Sequence, residues 1–210
     1  MKIKAIIFDM DGVLVDAQEW HYIALNKALD KEGYFITRQE HESIYDGLTT
    51  QSKLNILSEL RGLPKEKHDI VKKNKQKFTL DLINKRCKPN LKLRDTLGKL
   101  LSEGYLLGIA SNSIRKTVDI ILDKIGITHY FDHIVSNEDV VMPKPDPEGY
   151  NNVISFFRLK PEQCLALDDT PIGQMSVLRS GANLLPIKKI SQVNYKNIKI
   201  AIKYFEHLTD

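Results

Sequence analysis

At 210 residues the chain has room for one large domain, or for one domain carrying a smaller insertion. A balance of 31 basic against 27 acidic residues, net +4, is too even for a nucleic-acid binder, and no apolar stretch is long enough to span a membrane. The two cysteines, Cys87 and Cys164, lie far apart without metal or redox spacing, which fits a reduced, cytoplasmic setting rather than a disulfide scaffold.

The first element is Ala5-Ile6-Ile7-Phe8, an apolar run that breaks at Asp9-Met10-Asp11-Gly12 and predicts a buried strand of a parallel sheet. It is too short for a signal-peptide core. A helix is expected over residues 17–33, with Asp16 as N-cap and Gly33 as the stop. Thr37 and Glu40 fit a capping box opening a second helix that closes near Gly47. Two more are expected over residues 50–61 and 64–86, the last opening on Pro64. Four helices with no strand between them read as an insertion.

From about Pro89 the pattern changes. Helices near 91–103, 115–125, 147–157 and 171–180 alternate with apolar runs at 106–110, 133–135, 164–167 and 183–187, and a closing helix covers about 195–207. Strands alternating with helices predict an α/β fold with a doubly wound parallel sheet. The predicted core is 1–15 with 88–210, and the predicted helical domain is 16–87. The charge is uneven across this division. Twelve basic and three acidic residues fall between Arg61 and Arg94, giving +9 there and −5 elsewhere, a balance suited to an anionic ligand.

In parallel sheets ligands sit beyond the carboxyl ends of the strands. Asp9 and Asp11 stand there, two residues apart and able to face one site on an extended chain. Carboxylates that close repel unless a cation lies between them or one is protonated. Magnesium selects hard oxygen donors of this kind, completed by phosphate oxygens. An ordinary capped turn is the competing reading of this segment alone. Later strand ends add compatible groups. Ser111-Asn112-Ser113 offers hydroxyls and backbone N–H groups ahead of a helix, a ready anion site or an ordinary cap. Lys144 sits between Pro143 and Pro145 in a stiffened loop. Asp168-Asp169 follows an apolar strand, where two adjacent carboxylates call for a cation.

In this order the motifs resemble the haloacid dehalogenase-like superfamily, in its β-phosphoglucomutase/phosphoglycolate phosphatase-like branch with an α-helical cap. The residues carrying the resemblance are Asp9-Met10-Asp11-Gly12-Val13-Leu14-Val15-Asp16, Ser111, Lys144-Pro145-Asp146-Pro147, and Asp168-Asp169 with Gly173 and Ser180-Gly181-Ala182. The resemblance implies a Rossmann-like core, with residues 16–87 as the cap. It implies Asp9 as a nucleophile forming an aspartyl-phosphate, and Asp11 as general acid and then base. It implies Mg2+ held by Asp9, the Asp11 backbone carbonyl and Asp169, with Asp168 assisting, and Ser111 and Lys144 gripping the phosphoryl group.

Substrate contacts are implied at His21, Thr50, Lys73 and Asn112. Thr50 departs from the branch, since it stands where the mutases carry an arginine for a second phosphate, and a hydroxyl cannot replace that clamp. Ile114 and Arg115 also replace a polar pair of the mutases. The expected function is therefore a magnesium-dependent phosphatase acting on a small anionic phosphomonoester, such as a phosphorylated sugar. The alternatives are a sugar phosphomutase and, with little support, a non-catalytic phosphometabolite-binding protein. The expectation includes a monomer with no nucleic-acid or membrane partner.

Overall fold

The computed structural model describes residues 2–207 and divides the chain into two compact units. One joins the segment ending at Asp16 to the chain from Lys88 onward, and the other is Ala17–Cys87.

The first unit is built on a sheet of five parallel strands: β1 (Ala5–Phe8), β2 (Leu106–Ala110), β3 (His133–Val135), β4 (Cys164–Asp168) and β5 (Asn183–Pro186). Their spatial order is β3-β2-β1-β4-β5. Strand β1 is central and wholly buried, which is why its sequence is continuously apolar rather than alternating. Its register ties Ala5 to Leu106 and Cys164, and Phe8 to Ile109 and Leu167, so the residues following β1, β2 and β4 emerge at one edge. The chain winds from β1 through β2 to β3, then returns to the other side of β1 for β4 and β5. The switch in winding lies between β1 and β4, where an open parallel sheet leaves a crevice for ligands.

Helices α4 (Leu91–Ser102), α5 (Arg115–Ile125), α6 (Glu148–Phe156), α7 (Pro171–Ser180) and α8 (Tyr195–His207) complete this unit. Ile7, Ala110, Val135, Tyr150, Val153, Ala166 and Val177 form a core on the sheet.

The second unit is helical: α1 (Gln18–Asp30), α2 (Thr50–Arg61) and α3 (His68–Arg86), with a short helical segment over residues 38–45 whose last turn widens at His41–Tyr45. Leu25, Leu29, Ile36, Tyr45, Leu54, Leu57 and Val71 pack its core. The capping box at Thr37 and Glu40 is present.

Three local expectations change. Helix α1 has Ala17 rather than Asp16 at its N-cap, without a side-chain cap. It ends at Asp30, and Gly33 supplies the left-handed turn three residues later. Pro64 precedes a single 3-10 turn at Lys65–Lys67, so α3 proper opens at His68. Among the described residues no helix is long and apolar enough to cross a membrane.

Candidate active site

Asp9 is the first residue beyond β1, its N–H donating to the Leu167 carbonyl 2.9 Å away on β4. Asp168 ends β4 and is fully buried. Between them lies Lys144, 7% exposed, whose Nζ donates to Asp9 Oδ1 at 2.7 Å and to Asp168 Oδ2 at 2.8 Å. A third bond runs from Lys144 Nζ to the Tyr150 hydroxyl at 3.1 Å, and that hydroxyl donates to Asp168 Oδ2 at 2.7 Å. Burial pushes the Asp9 carboxyl well above its usual range; Lys144 opposes this, and the charges of Asp168, Asp169 and Asp11 add to it. Burial alone would favour the neutral amine of Lys144, yet Asp168 and Asp9 hold its ammonium above the ordinary value. Burial, followed by the charges of Asp168 and Asp9, keeps Tyr150 a protonated phenol.

The chain is shaped to let these groups meet. Gly12 has φ +87°, and a Cβ there would lie 1.9 Å from Asp169 Oδ2. Only glycine meets both demands. A Cβ on Gly173, in the first turn of α7, would lie 2.0 Å from Asp168 Oδ1. Thr170 caps that helix, its Oγ1 accepting from Gly173 N, while its N–H and Oγ1 both donate to Asp168 Oδ1 at 3.1 and 3.2 Å. Asp168 is therefore held from both of its oxygens.

Among the described residues Asp9, Asp168 and Asp169 form a potential metal site, each offering one oxygen within 4.8 Å of the others. Three hard oxygen donors at that spacing are the set a small divalent cation takes. Lys144 bonds to two of these three, while the charges of Asp168, Asp169 and Asp11 all bear on Asp9, so the donor set fits the expected Mg2+ by its charge as well as its chemistry.

Asp11 accepts at Oδ2 from Ser113 Oγ, 2.7 Å away. Ser111 is 5% exposed, and its Oγ accepts from Ser113 N at 3.1 Å. Asn112, expected to meet substrate, is turned to Lys144: its Oδ1 accepts from the Lys144 N–H at 3.1 Å and its Nδ2 donates to the Lys144 carbonyl at 3.4 Å. An amide reading both backbone groups of one residue fixes that residue's loop.

With this geometry in place the family is decided by residues 6–187, which match the profile of the haloacid dehalogenase-like hydrolases. The chain belongs to that family. A phosphorylated carbohydrates phosphatase of Thermotoga maritima is 27% identical over 179 residues, 85% of this chain and 82% of that protein. A β-phosphoglucomutase of Bacillus subtilis is 25% identical over 188 residues, 85% of this chain and 80% of that one. The crystal structure of β-phosphoglucomutase from Clostridium difficile shares the fold, with a TM-score of 0.85 at 21% identity over 99% of this chain and 100% of that chain. As a haloacid dehalogenase-like hydrolase with phosphatase relatives, this chain is an enzyme of the phosphatase and phosphomutase kind.

The other residues expected to meet substrate lie in the helical unit of this hydrolase. Thr50 is the first residue of α2, half-buried, with Thr49 Oγ1 capping the helix at Ser52 N. His21 Nδ1 on α1 lies 3.3 Å from Nζ of Lys75, while Lys73 points to solvent. Residues 73 and 75 lie on different faces of α3, as a helix of 3.6 residues per turn requires. Tyr150, Lys53 and Lys75 were not singled out by the motifs. Tyr150 had no signal beyond being an aromatic in an amphipathic helix. Lys53 had one: it stands inside the apolar stripe of Leu54 and Leu57.

Proposed function

We propose that this enzyme is a magnesium-dependent phosphatase that hydrolyses a small phosphomonoester, a phosphorylated sugar or related metabolite, through a phosphorylated Asp9. The observation that supports it most is the buried ring of Asp9, Lys144 and Asp168 beside Asp169, at the switch between β1 and β4. Asp9, Asp168 and Asp169 would hold the magnesium ion together with the backbone carbonyl of Asp11. Bound there, it supplies positive charge to the phosphoryl oxygens and favours the ionised form of Asp9.

The remaining chemistry belongs to the chain. A carboxylate oxygen of Asp9 attacks phosphorus, the P–O bond to the alcohol breaks, and the departing oxygen takes a proton from Asp11. Because Ser113 donates to Asp11 Oδ2, that proton is carried on Oδ1. Water then attacks the phosphorylated Asp9, Asp11 recovers the proton, and phosphate leaves. Lys144 keeps Asp9 oriented, and Asn112 keeps Lys144 in register. Residues 17–87 serve as the cap that selects substrate, and the enzyme works on soluble metabolites in the cytoplasm as a monomer.

Phosphate release from a panel of phosphomonoesters tests this directly. Activity should require magnesium, vanish with a chelator, and fall by roughly 10³-fold or more in Asp9→Asn, which removes the nucleophile. Near-normal turnover by that variant overturns the assignment. Conversion of a sugar 1-phosphate to its isomer in excess of released phosphate would establish the phosphomutase alternative instead.

A further inference from the structure

A serine or threonine inside a helix commonly returns its hydroxyl to a carbonyl of its own helix, one turn back. Thr79 in α3, Thr96 in α4 and Ser180 in α7 do so, donating to the carbonyls of Lys75, Lys92 and Val177. Ser176, one turn before Ser180, does not. It is wholly buried, and its Oγ donates out of α7 to the Asp146 carbonyl at 2.6 Å. Three residues on, Arg179 Nη1 donates to the Pro145 carbonyl at 3.2 Å. Pro145 and Asp146 are the two residues that follow Lys144.

Gly173, Ser176 and Arg179 stand at i, i+3 and i+6, along one side of α7. Gly173 lies against the Asp168 carboxylate, closely enough that a Cβ would collide with it. Ser176 and Arg179 hold the segment after Lys144. One side of one helix therefore bears on both partners of the 2.8 Å bond from Lys144 Nζ to Asp168 Oδ2. From the opposite loop Asn112 holds both backbone groups of Lys144. A serine that only filled space would be satisfied within its own helix, as Ser180 is. Space-filling does not account for a short bond made instead to the loop that carries the buried ammonium.

We propose that Ser176 is a positioning residue of this enzyme. Its hydroxyl, with Arg179 beside it, clamps the loop after Lys144 onto α7 and so keeps Lys144 Nζ between Asp9 and Asp168. It acts through Lys144 and touches none of the reacting atoms. The consequence for turnover rests on the phosphatase reading; the clamp itself does not.

Two measurements on the full chain separate these. The first is the nitrogen-15 NMR signal of the Lys144 side-chain ammonium, assigned by its loss in Lys144→Met. Ser176→Ala should shift this signal and speed its proton exchange with water by about tenfold, as loss of one buried hydrogen bond implies. Arg179→Met, on the exposed side of the helix, should do the same to a smaller degree. Ser180→Ala, which removes only a bond within α7, should leave the signal in place. An unmoved signal in Ser176→Ala, or an equal change in Ser180→Ala, overturns the clamp. The second is phosphate release with magnesium from a phosphomonoester that wild type hydrolyses. Ser176→Ala should lower kcat by about tenfold with KM within about twofold, and Arg179→Met should lower kcat by about threefold. A lower Tm with kcat unchanged would make Ser176 structural only and refute the positioning role. If Ser176→Ala does not fold, Arg179→Met carries both readouts. If wild type hydrolyses no phosphomonoester, the phosphatase reading fails, and the ammonium signal still decides the clamp.

Discussion

Tyr150→Phe removes a single oxygen from the buried ring formed with Lys144 and Asp168 and leaves the aromatic packing of α6 in place. Two bonds go with it: the 2.7 Å donation to Asp168 Oδ2 and the 3.1 Å bond accepted from Lys144 Nζ. Both involve a charged partner, and each such bond is worth about 1.5–3 kcal/mol when its loss leaves a buried group unmet. Asp168 Oδ2 retains Lys144, and Lys144 retains two carboxylates, so the combined cost is set near the low end, about 3 kcal/mol. For a chain of this size that lowers Tm by roughly 6–12 °C. Burial keeps Tyr150 protonated well past its usual range, so the difference between wild type and variant should not change from about pH 6 to 9. Thermal melts of the metal-free chain measure it without reference to turnover, and steady-state kinetics should show kcat reduced more than KM. A Tm within about 1 °C of wild type, with kcat intact, would refute the claim that the ring is held by this hydroxyl.

Gly173→Ala favours α7 by helix propensity, about 1 kcal/mol, but its Cβ would sit 2.0 Å from Asp168 Oδ1, so phosphate release should fall by about tenfold or more while the fold persists; normal activity would show that Asp168 need not be where it is. Asp169→Ala removes one of the three clustered donors and should raise the magnesium concentration for half-maximal rate by about tenfold, read from metal titrations of activity and of Tm. His41 is held at about 3 against about 6.5 unfolded, so the unfolded chain binds the extra proton between those values. Its contribution is therefore complete above about pH 6.5 and is lost as pH falls, at up to about 1.4 kcal/mol per unit. His41→Phe should flatten the acid arm of the Tm profile, and coincident arms would reject the assignment.

Most of the sheet was legible because a parallel strand buried on both faces has to be continuously apolar, and each run ends where polar groups must reach a ligand. The boundaries of α2, α5, α7 and α8 followed from periodicity and turn residues. Helix starts were less secure. Asp16 looks like an N-cap, but the loop from Met10 closes on itself, with the N–H groups of Leu14 and Val15 donating to the Met10 carbonyl, so the helix begins one residue later. The carboxylates, the lysine and the serines at strand ends stood out because charge after an apolar run is costly. Tyr150 did not, because an aromatic at an apolar position of an amphipathic helix has an ordinary reason to be there. Its hydroxyl matters only because the fold carries it to Asp168, eighteen residues away in sequence. The pairing of the Asn112 amide with the Lys144 backbone was not legible either, because nothing in a Ser-Asn-Ser loop shows that a segment thirty-two residues on will meet it.

From the proline-flanked loop Lys144 reads as a point charge suited to a phosphate oxygen and to offsetting nearby carboxylates, and the structure shows the second of these. An ammonium has three N–H groups, and here they meet Asp9 Oδ1, Asp168 Oδ2 and the Tyr150 hydroxyl. It can therefore take a phosphoryl oxygen only by exchange. Releasing either carboxylate would leave a buried charge with a lost partner, whereas releasing the neutral phenol, the longest of the three bonds, costs least and leaves the Tyr150–Asp168 bond in place. Lys144 thus holds Asp9, the proposed nucleophile, before substrate arrives and offers at most one bond afterwards. A phosphoryl group in transfer spreads charge over three equatorial oxygens, more than one exchanged lysine contact can meet. That shortfall is the physical case for a divalent cation at Asp9, Asp168 and Asp169.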